Sequence, residues 1–177
     1  MSHKIILDTD PGIDDAMAIF FAFQHPEIDV LGMTTVFGNV PVEMAAKNAM
    51  TLCALADKDI PICKGVGMPW VGKESGYAHF VHGDDGFGNI NFPAAKGELD
   101  PRSSAQFIVD MARQYPGEIT VVAIGPLGNL ALALRLEPEL PKLLKAVSIM
   151  GGAAFVPGNV TPVAEANIWN DAYAAEI

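Results

Sequence analysis

The sequence has 177 residues, half of them hydrophobic and 18% charged, and its formal net charge is −10. This length and composition suit one domain with a sizeable core and exclude an intrinsically disordered chain. The acidic charge argues against nucleic-acid and membrane partners, which favour basic surfaces, and leaves small molecules and metal ions as ligands. No apolar run reaches the roughly 20 residues of a membrane span and no signal-peptide core is present, so we expect a cytoplasmic protein.

Apolar runs and helical patterns alternate along the chain. Ile5–Leu7 is a short apolar run that predicts a buried strand, and Asp14 and Asp15 then open a helix that runs to Phe23. This alternation predicts an α/β fold, a Rossmann-like open and mostly parallel sheet with helices on both faces, in a single domain over residues 1–177. The later elements are a strand at Val30–Val36, a helix from Pro41 to about Ala56, a possible strand at Ile60–Cys63, a helix at Ser103–Gln114, a strand at Ile119–Ile124, a helix from about Asn129 and a strand at Ala146–Met150.

Polar and glycine-rich segments follow several of these strands. Asp8–Asp15 follows the first strand, Thr35–Asn39 ends the second, Gly125-Pro126 follows a later one and Gly151-Gly152 another. Ligands of open α/β sheets bind beyond the carboxyl ends of the strands. We therefore expect one site where these segments meet, and we expect the glycine-rich residues 65–100 to be functional rather than a simple connection.

The run Asp8-Thr9-Asp10-Pro11-Gly12-Ile13-Asp14-Asp15 places four carboxylates just beyond a buried strand. Close carboxylates share protons or need a cation, and calcium tolerates irregular oxygen geometry better than magnesium does. Pro11-Gly12 supplies a turn that would let Asp10 and Asp15 face one centre. The structural alternative is a helix N-cap cluster, with Asp14 as its foremost member.

Two other acidic motifs compete with this interpretation. An EF-hand spaces its ligands differently and ends in a glutamate that the run lacks. A haloacid-dehalogenase-like phosphatase would place Asp8 and Asp10 after the first strand, but it gives no reason for Asp14 and Asp15.

The run with Ala16 resembles the signature of the calcium-dependent, inosine-uridine-preferring nucleoside hydrolases. Five further motifs follow in that family's order: Thr34-Thr35-Val36-Phe37-Gly38-Asn39, His82-Gly83, Ile124-Gly125-Pro126-Leu127-Gly128-Asn129, Met150-Gly151-Gly152, and Glu165-Ala166-Asn167 with Asp171. The resemblance implies hydrolysis of the N-glycosidic bond of ribonucleosides to ribose and a free nucleobase, as part of nucleoside salvage.

The resemblance also implies roles for individual residues. Asp10 would bind Ca²⁺ and act as the base toward calcium-bound water, Asp15 would be a second ligand, and the backbone carbonyl of Ile124 a third. Asn39 would lie near Asp10, unless it is only a turn residue after Gly38. The residues that would hold the ribose hydroxyls are Asp14, Asn159, Glu165 and Asn167, with Met150 near the sugar.

Three residues near these motifs have less certain roles. His82 would contact or protonate the leaving nucleobase, or else be a solvated loop histidine. We expect Trp169 and Tyr173 to be packing residues rather than platforms for a stacked base.

The family continues for about as much sequence again as this chain, so the chain resembles the N-terminal half of the family fold and looks incomplete at its C-terminus. The remaining part would carry a further aspartate ligand and a histidine at the nucleobase. An inactive, truncated remnant of a nucleoside hydrolase is therefore a second alternative to the enzyme. The resemblance also implies a homodimer or homotetramer.

Overall fold

The computed structural model describes residues 2–72, 76–93 and 95–177 and contains one sheet of five parallel strands. The strands are β1 (His3–Thr9), β2 (Ile28–Thr35), β3 (Ile62–Lys64), β4 (Ile119–Ala123) and β5 (Ala146–Ile149), in the order β3-β2-β1-β4-β5. The helices are α1 (Ile13–Gln24), α2 (Val42–Leu55), α3 (His79–His82), α4 (Ser104–Gln114), α5 (Gly128–Leu136), α6 (Leu140–Leu143), α7 (Ala166–Asn170) and α8 (Ala172–Glu176).

The sheet has a hydrophobic core on each face. Successive side chains of β1 point to opposite faces, so Ile5 and Leu7 pack with α1 and α2, whereas Ile6 packs with α4, α5 and α6. A parallel sheet covered on both faces needs strands that are apolar throughout, and this explains the unbroken Ile5–Leu7 run.

The strand order reverses between β1 and β4. The chain builds β1, β2 and β3 outward in one direction, then returns to place β4 on the other side of β1. The segments that follow β1 and β4 diverge at this point and leave a crevice at the carboxyl ends of the two strands. This topological switch point is where the acidic run and the Ile124-Gly125-Pro126 segment meet.

The structure confirms the predicted α/β fold and its principal elements. The predicted strand at Ile60–Cys63 begins instead at Ile62, because Pro61 has no amide hydrogen to donate to the sheet. The short helices α3, α6 and α7 have only four or five residues and were not predicted, since such lengths are too short for a helical period to be recognised. No helix in the part of the chain that the structure describes is long and apolar enough to cross a membrane.

Candidate active site

Asp10 lies at the switch point, and only one of its two carboxylate oxygens has a hydrogen-bond partner among the described residues. The residue is 1% exposed, and its Oδ2 accepts a hydrogen bond of 2.6 Å from the Asn39 amide. Its Oδ1 has no hydrogen-bond partner among the described residues. A side chain at Gly125 would place its Cβ 2.7 Å from this Oδ1, and one at Gly38 would collide with Oδ2. Both glycines are therefore needed for the backbone to approach the carboxylate.

The environment of Asp10 opposes ionisation. Burial raises the pKa of this carboxyl well above its usual range, and the negative charge of Asp15 raises it further. A buried, unpaired carboxylate oxygen beside a second carboxylate is the arrangement that a bound cation would relieve.

Asp15 is tied to its surroundings by three hydrogen bonds. Its Oδ1 accepts from the Thr9 hydroxyl at 2.7 Å, and its Oδ2 accepts from the Gly12 amide at 3.1 Å and from the Asn39 side-chain amide at 2.9 Å. The bond to Gly12 makes Asp15 the acid that caps α1. The suggestion that Asp14 would be the foremost capping residue is therefore wrong: the Asp14 side chain is 79% exposed, and the acid bonded to the N-cap amide is Asp15.

Asp8 lies beneath the site rather than in it. It is 0% exposed, and its Oδ1 accepts from the Thr34 hydroxyl at 2.6 Å and from the Asn129 side chain at 2.7 Å. Burial raises the pKa of Asp8 to about 6, and the two hydrogen bonds oppose this rise. A carboxylate without solvent access cannot attack a phosphate ester, so the phosphatase alternative has no nucleophile at Asp8.

Ile124 follows β4 directly across from the acidic run. Its amide donates a 2.8 Å hydrogen bond to the Asp8 carbonyl, which joins the ends of β1 and β4. Its own carbonyl accepts a 3.0 Å hydrogen bond from the Asn167 side chain. The main chain of Ile124 therefore presents an oxygen toward the crevice, and the apolar side chain is incidental to that role.

The segment before α7 forms one polar wall of the crevice. Glu165 is buried; its Oε1 accepts from the Asn167 amide at 2.9 Å, and its Oε2 accepts from the amides of Gly152 and Ile168 at 3.0 and 3.1 Å. Asn159 fixes the same turn, because its Oδ1 accepts from the Ala166 amide at 2.8 Å. The Asn167 side chain also donates to the Met150 carbonyl at 3.1 Å.

His82 packs against the beginning of α1. It is buried, and its Nδ1 accepts a 3.2 Å hydrogen bond from the Ile13 amide and lies 3.8 Å from the Asp14 carboxylate. The alternative of a solvated loop histidine is therefore wrong. Since Nδ1 acts as an acceptor, the neutral ring carries its proton on Nε2, and this assignment follows from the hydrogen bond.

A cleft of about 900 Å³ opens above these residues. Asp10 and Asp15 do not line the cleft, but both accept hydrogen bonds from Asn39, which does. All the other residues with predicted roles line it: Asp14, Asn39, His82, Ile124, Met150, Asn159, Glu165 and Asn167.

The sequence did not identify the apolar part of the cleft wall. Tyr77, Phe80 and Val81 line it from the glycine-rich segment, and Trp169 lines it from α7. Trp169 was expected to be a packing residue but is 50% exposed, and Tyr173 is also half exposed. The aromatic residues among the glycines of residues 65–100 were the only available signal for this wall.

The family model for inosine-uridine preferring nucleoside hydrolase matches residues 5–177. The chain belongs to this nucleoside hydrolase family. An Arabidopsis thaliana relative named as a probable uridine nucleosidase 2 is 52% identical, over 98% of this chain and 55% of the relative. The inosine-uridine preferring nucleoside hydrolase of Leishmania major is 43% identical, over 100% of this chain and 57% of that protein.

A solved structure of a plant nucleoside hydrolase matches with a TM-score of 0.95 at 44% identity, over 99% of this chain and 56% of that one. The chain therefore spans about half the length of the relatives that it matches. Membership of the nucleoside hydrolases also removes the phosphatase alternative at the level of the family.

Within this nucleoside hydrolase fold, the described residues contain no group of three or more His, Cys, Asp or Glu side chains arranged to hold a metal ion. The two carboxylates of Asp10 and Asp15, with the Ile124 carbonyl, are oxygen donors that could form part of a metal site. Calcium takes six to eight such ligands, so water, substrate or other protein groups would complete the set.

Proposed function

We propose that this chain contributes the ribose and metal subsites of an enzyme that hydrolyses ribonucleosides to ribose and free nucleobase, in nucleoside salvage. The observation that carries the proposal is the buried, unpartnered Asp10 Oδ1 near a cleft that both polar and apolar side chains line. The names of the relatives, which include uridine nucleosidase and inosine-uridine preferring hydrolase, agree with this reaction class.

We propose Ca²⁺ as the cofactor, with Asp10, Asp15 and the Ile124 carbonyl as ligands. All three donors are oxygens, which hard divalent cations prefer, and Asp10 Oδ1 is a buried acceptor that lacks a partner. When bound, the cation would lower the pKa of a water ligand and orient it toward the sugar.

Asp10 would accept the proton of the attacking water. The water oxygen forms a bond to the anomeric carbon of the ribose, and the carbon–nitrogen bond breaks with its electron pair leaving on the nucleobase. Asp10 accepts a proton only in its ionised form, which burial disfavours and a bound cation would favour. His82 would donate a hydrogen bond from Nε2 to the departing base, since its Nδ1 is occupied by the Ile13 amide, and the base would take its proton from solvent.

The polar wall would hold the ribose hydroxyls. Asp14 is exposed to the cleft and free to accept from them, whereas Glu165 is held rigidly by backbone amides. Asn159, Asn167 and Met150 complete this wall. A rigid wall reduces the entropy that must be lost when the sugar is oriented for attack.

The test is release of free base from uridine and from inosine, set against release of phosphate from a phosphomonoester. We expect base release that EDTA abolishes and added Ca²⁺ restores. Asp10→Asn should reduce kcat by at least about 100-fold, because it removes the proton acceptor. Asp29→Asn is the control, since Asp29 is exposed on β2 far from the cleft.

Three outcomes would be informative. Base release that survives Asp10→Asn would refute the assignment of the base, and phosphate release would refute the reaction class. Ca²⁺ binding without turnover would support the remnant alternative.

We also propose that the protein is cytoplasmic and forms a homodimer or homotetramer. The uncharged stretch of α1 from Ala16 to Gln24 supports self-association, because it leaves large apolar side chains exposed in a chain of net charge −10.

A further inference from the structure

A layer of buried polar side chains lies beneath the active-site loops, and the proposed chemistry uses none of them. Its five members are each 0% exposed: Asp8, Thr34, Thr35, Ser104 and Asn129. Buried polar groups in a low-dielectric interior are costly unless they are hydrogen-bonded. In this layer Asp8 Oδ2 has no partner among the described residues, whereas Asp8 Oδ1 and the other four side chains are hydrogen-bonded.

Asn129 makes three hydrogen bonds in this layer. Its Nδ2 donates to Asp8 Oδ1 at 2.7 Å and to the Thr35 carbonyl at 2.9 Å, and its Oδ1 accepts from the Val66 amide at 2.9 Å. The side chain of Asn129 therefore satisfies both of its donors and one of its two acceptor positions.

The three partners lie at or just after the carboxyl ends of three different strands. Asp8 is in β1, Thr35 ends β2 and Val66 follows β3, whereas Asn129 is in the first turn of α5, after β4. One side chain from the β4 side of the switch point thus joins the carboxyl ends of all three strands on the other side. Gly65 allows this approach, because a Cβ there would lie 2.6 Å from Asn129 Cγ.

These joined strand ends carry the groups of the proposed metal site. Asp8 is two residues before Asp10, and its carbonyl accepts the hydrogen bond from the Ile124 amide. Thr35 leads into Gly38 and Asn39, whose amide binds Asp10 Oδ2. Displacing Asn129 would let the two sides of the crevice move relative to each other.

We propose that Asn129 is a positioning residue that sets the spacing across the switch point, and with it the distance from the Asp10 carboxylate to the Ile124 carbonyl. Its consequence for catalysis rests on the proposed function. Its effect on the geometry does not, and amide hydrogen exchange measures that geometry alone.

The test is site-resolved amide hydrogen exchange on the metal-free chain carrying Asn129→Asp. This variant keeps the size of the side chain and the bond from Val66, but turns the donor toward Asp8 and Thr35 into an acceptor. We expect exchange at the Ile124 and Asn39 amides to quicken by about 10-fold or more, with the middle of α2 unchanged. Asn129 bonds neither reporter amide, so faster exchange there reports a coupled movement.

The matched control is Ser104→Ala, which removes a buried hydroxyl from the same layer. Ser104 donates to the carbonyls of Cys63 and Thr35, at 3.0 and 3.4 Å, and makes no bond across the switch point. We expect it to leave exchange at Ile124 and Asn39 unaltered. Equal acceleration of amide exchange in both variants would overturn the proposal, because it would show that loss of any hydrogen bond in the layer has the same effect.

Rescue by a second substitution tests the pairing directly. Adding Asp8→Asn to Asn129→Asp restores one donor and one acceptor between the two positions, with the direction of the hydrogen bond reversed. Exchange at Ile124 and Asn39 should return to within about threefold of the wild-type rate. Failure of this rescue, or unchanged exchange in Asn129→Asp, would refute the assignment. Neither result depends on metal, substrate or turnover.

Discussion

At the scale of single residues, three aspartates of one short run have different surroundings and therefore different capacities. Among the described residues, Asp8 has two donors on Oδ1 and none on Oδ2, Asp10 has a donor on Oδ2 and none on Oδ1, and Asp15 is bonded at both oxygens. A free acceptor is therefore common to Asp8 and Asp10. Asp10 differs in its position, because it contacts Gly38 and Asn39, which line the cleft, whereas the partners of the Asp8 carboxylate do not line it.

The buried charge of Asp8 makes the stability of the protein depend on pH. Burial raises its pKa from 3.8 to about 6, so the folded chain binds this proton more tightly than the unfolded chain does. Stability from this group is fully present below about pH 4, falls as pH rises to about 6, and is constant above.

Asp8→Asn removes this titration while its Oδ1 still accepts from Thr34 and Asn129. We expect the variant to be more stable than the wild type at pH 8, by up to about 3 kcal/mol, and equally stable at pH 4. Denaturant unfolding at both pH values in EDTA measures the difference. A difference that does not change with pH would show that the charge is not its cause.

Gly125 is the residue whose lack of a side chain gives Asp10 Oδ1 its space. A Cβ there would lie 2.7 Å from Oδ1 and 2.8 Å from a methyl carbon of Val36. We expect Gly125→Ala to displace the carboxylate and to weaken Ca²⁺ binding by about 10-fold or more, which is about 1.4 kcal/mol. Isothermal titration calorimetry measures the Kd.

The control for this prediction is Gly128→Ala, three residues along the chain. Its Cβ would come no closer than 3.3 Å to any atom outside its neighbours, the Oδ2 of Asp171 being the nearest. Its Kd for Ca²⁺ should stay within about twofold of the wild type. An equal loss of Ca²⁺ affinity in both variants would show that binding depends on the segment after β4 in general, and not on the space beside the Asp10 carboxylate.

At the scale of secondary structure, the sequence predicted the long elements because each satisfies one simple requirement. β1 is apolar on both faces, and α4 begins after a capping serine and carries an apolar face toward the core. The predictions that were wrong concern residues whose roles depend on contacts with distant parts of the chain. Whether Asp14 or Asp15 caps α1 depends on where the Thr9 and Asn39 donors lie, and local spacing does not contain that information.

The roles of the cleft residues also depend on contacts that local sequence spacing does not reveal. His82 is buried because the beginning of α1 packs on it, 69 residues away in the chain. Trp169 lines the cleft from α7, whose first turn is capped by Glu165, and Asp171 caps the helix that follows. Polar motifs could be assigned to the site from their place after strands, whereas the apolar wall had no comparable signature.

The N-cap of α4 makes a contribution to the free energy of unfolding that a single substitution can measure. Ser103 accepts a hydrogen bond from the Gln106 amide at 3.2 Å, and the helix carries buried Phe107 and Ile108. We expect Ser103→Ala to lower the free energy of unfolding by about 1 kcal/mol, because one amide of the first turn loses its acceptor. Ser103→Asp should retain most of the stability. Chemical denaturation compares them, and equal losses in both variants would exclude capping as the cause.

At the scale of the whole molecule, the charge and the apolar surface have opposite consequences for association. A net charge of −10 opposes contact between copies of the chain wherever acidic residues meet. The stretch of α1 from Ala16 to Gln24 contains no charged residue, and it exposes Met17 at 72% and Phe21 at 64%. A helix that is apolar on all sides is normally buried, and this one is covered on one side only.

The exposed apolar face of α1 is suited to contact between two copies of the chain. Ile13, Met17 and Phe21 are spaced by four residues and therefore form one row along the helix. Two copies could pack these rows antiparallel across a two-fold axis without bringing acidic side chains together along the row. We expect Met17→Glu to shift the sedimentation coefficient toward that of a monomer, because it places a negative charge at the centre of the row.

Leu55→Glu is the matched control, since Leu55 is an exposed apolar residue at the end of α2 and outside the row. It should leave the sedimentation profile of the protein unchanged. A wild-type chain that is monomeric at all concentrations, or equal dissociation in both variants, would refute the role of this face. A monomer that still binds Ca²⁺ with the wild-type Kd would show that α1 carries two separable functions. Its first turn supplies Asp15 to the site, and the row Ile13, Met17 and Phe21 supplies the interface.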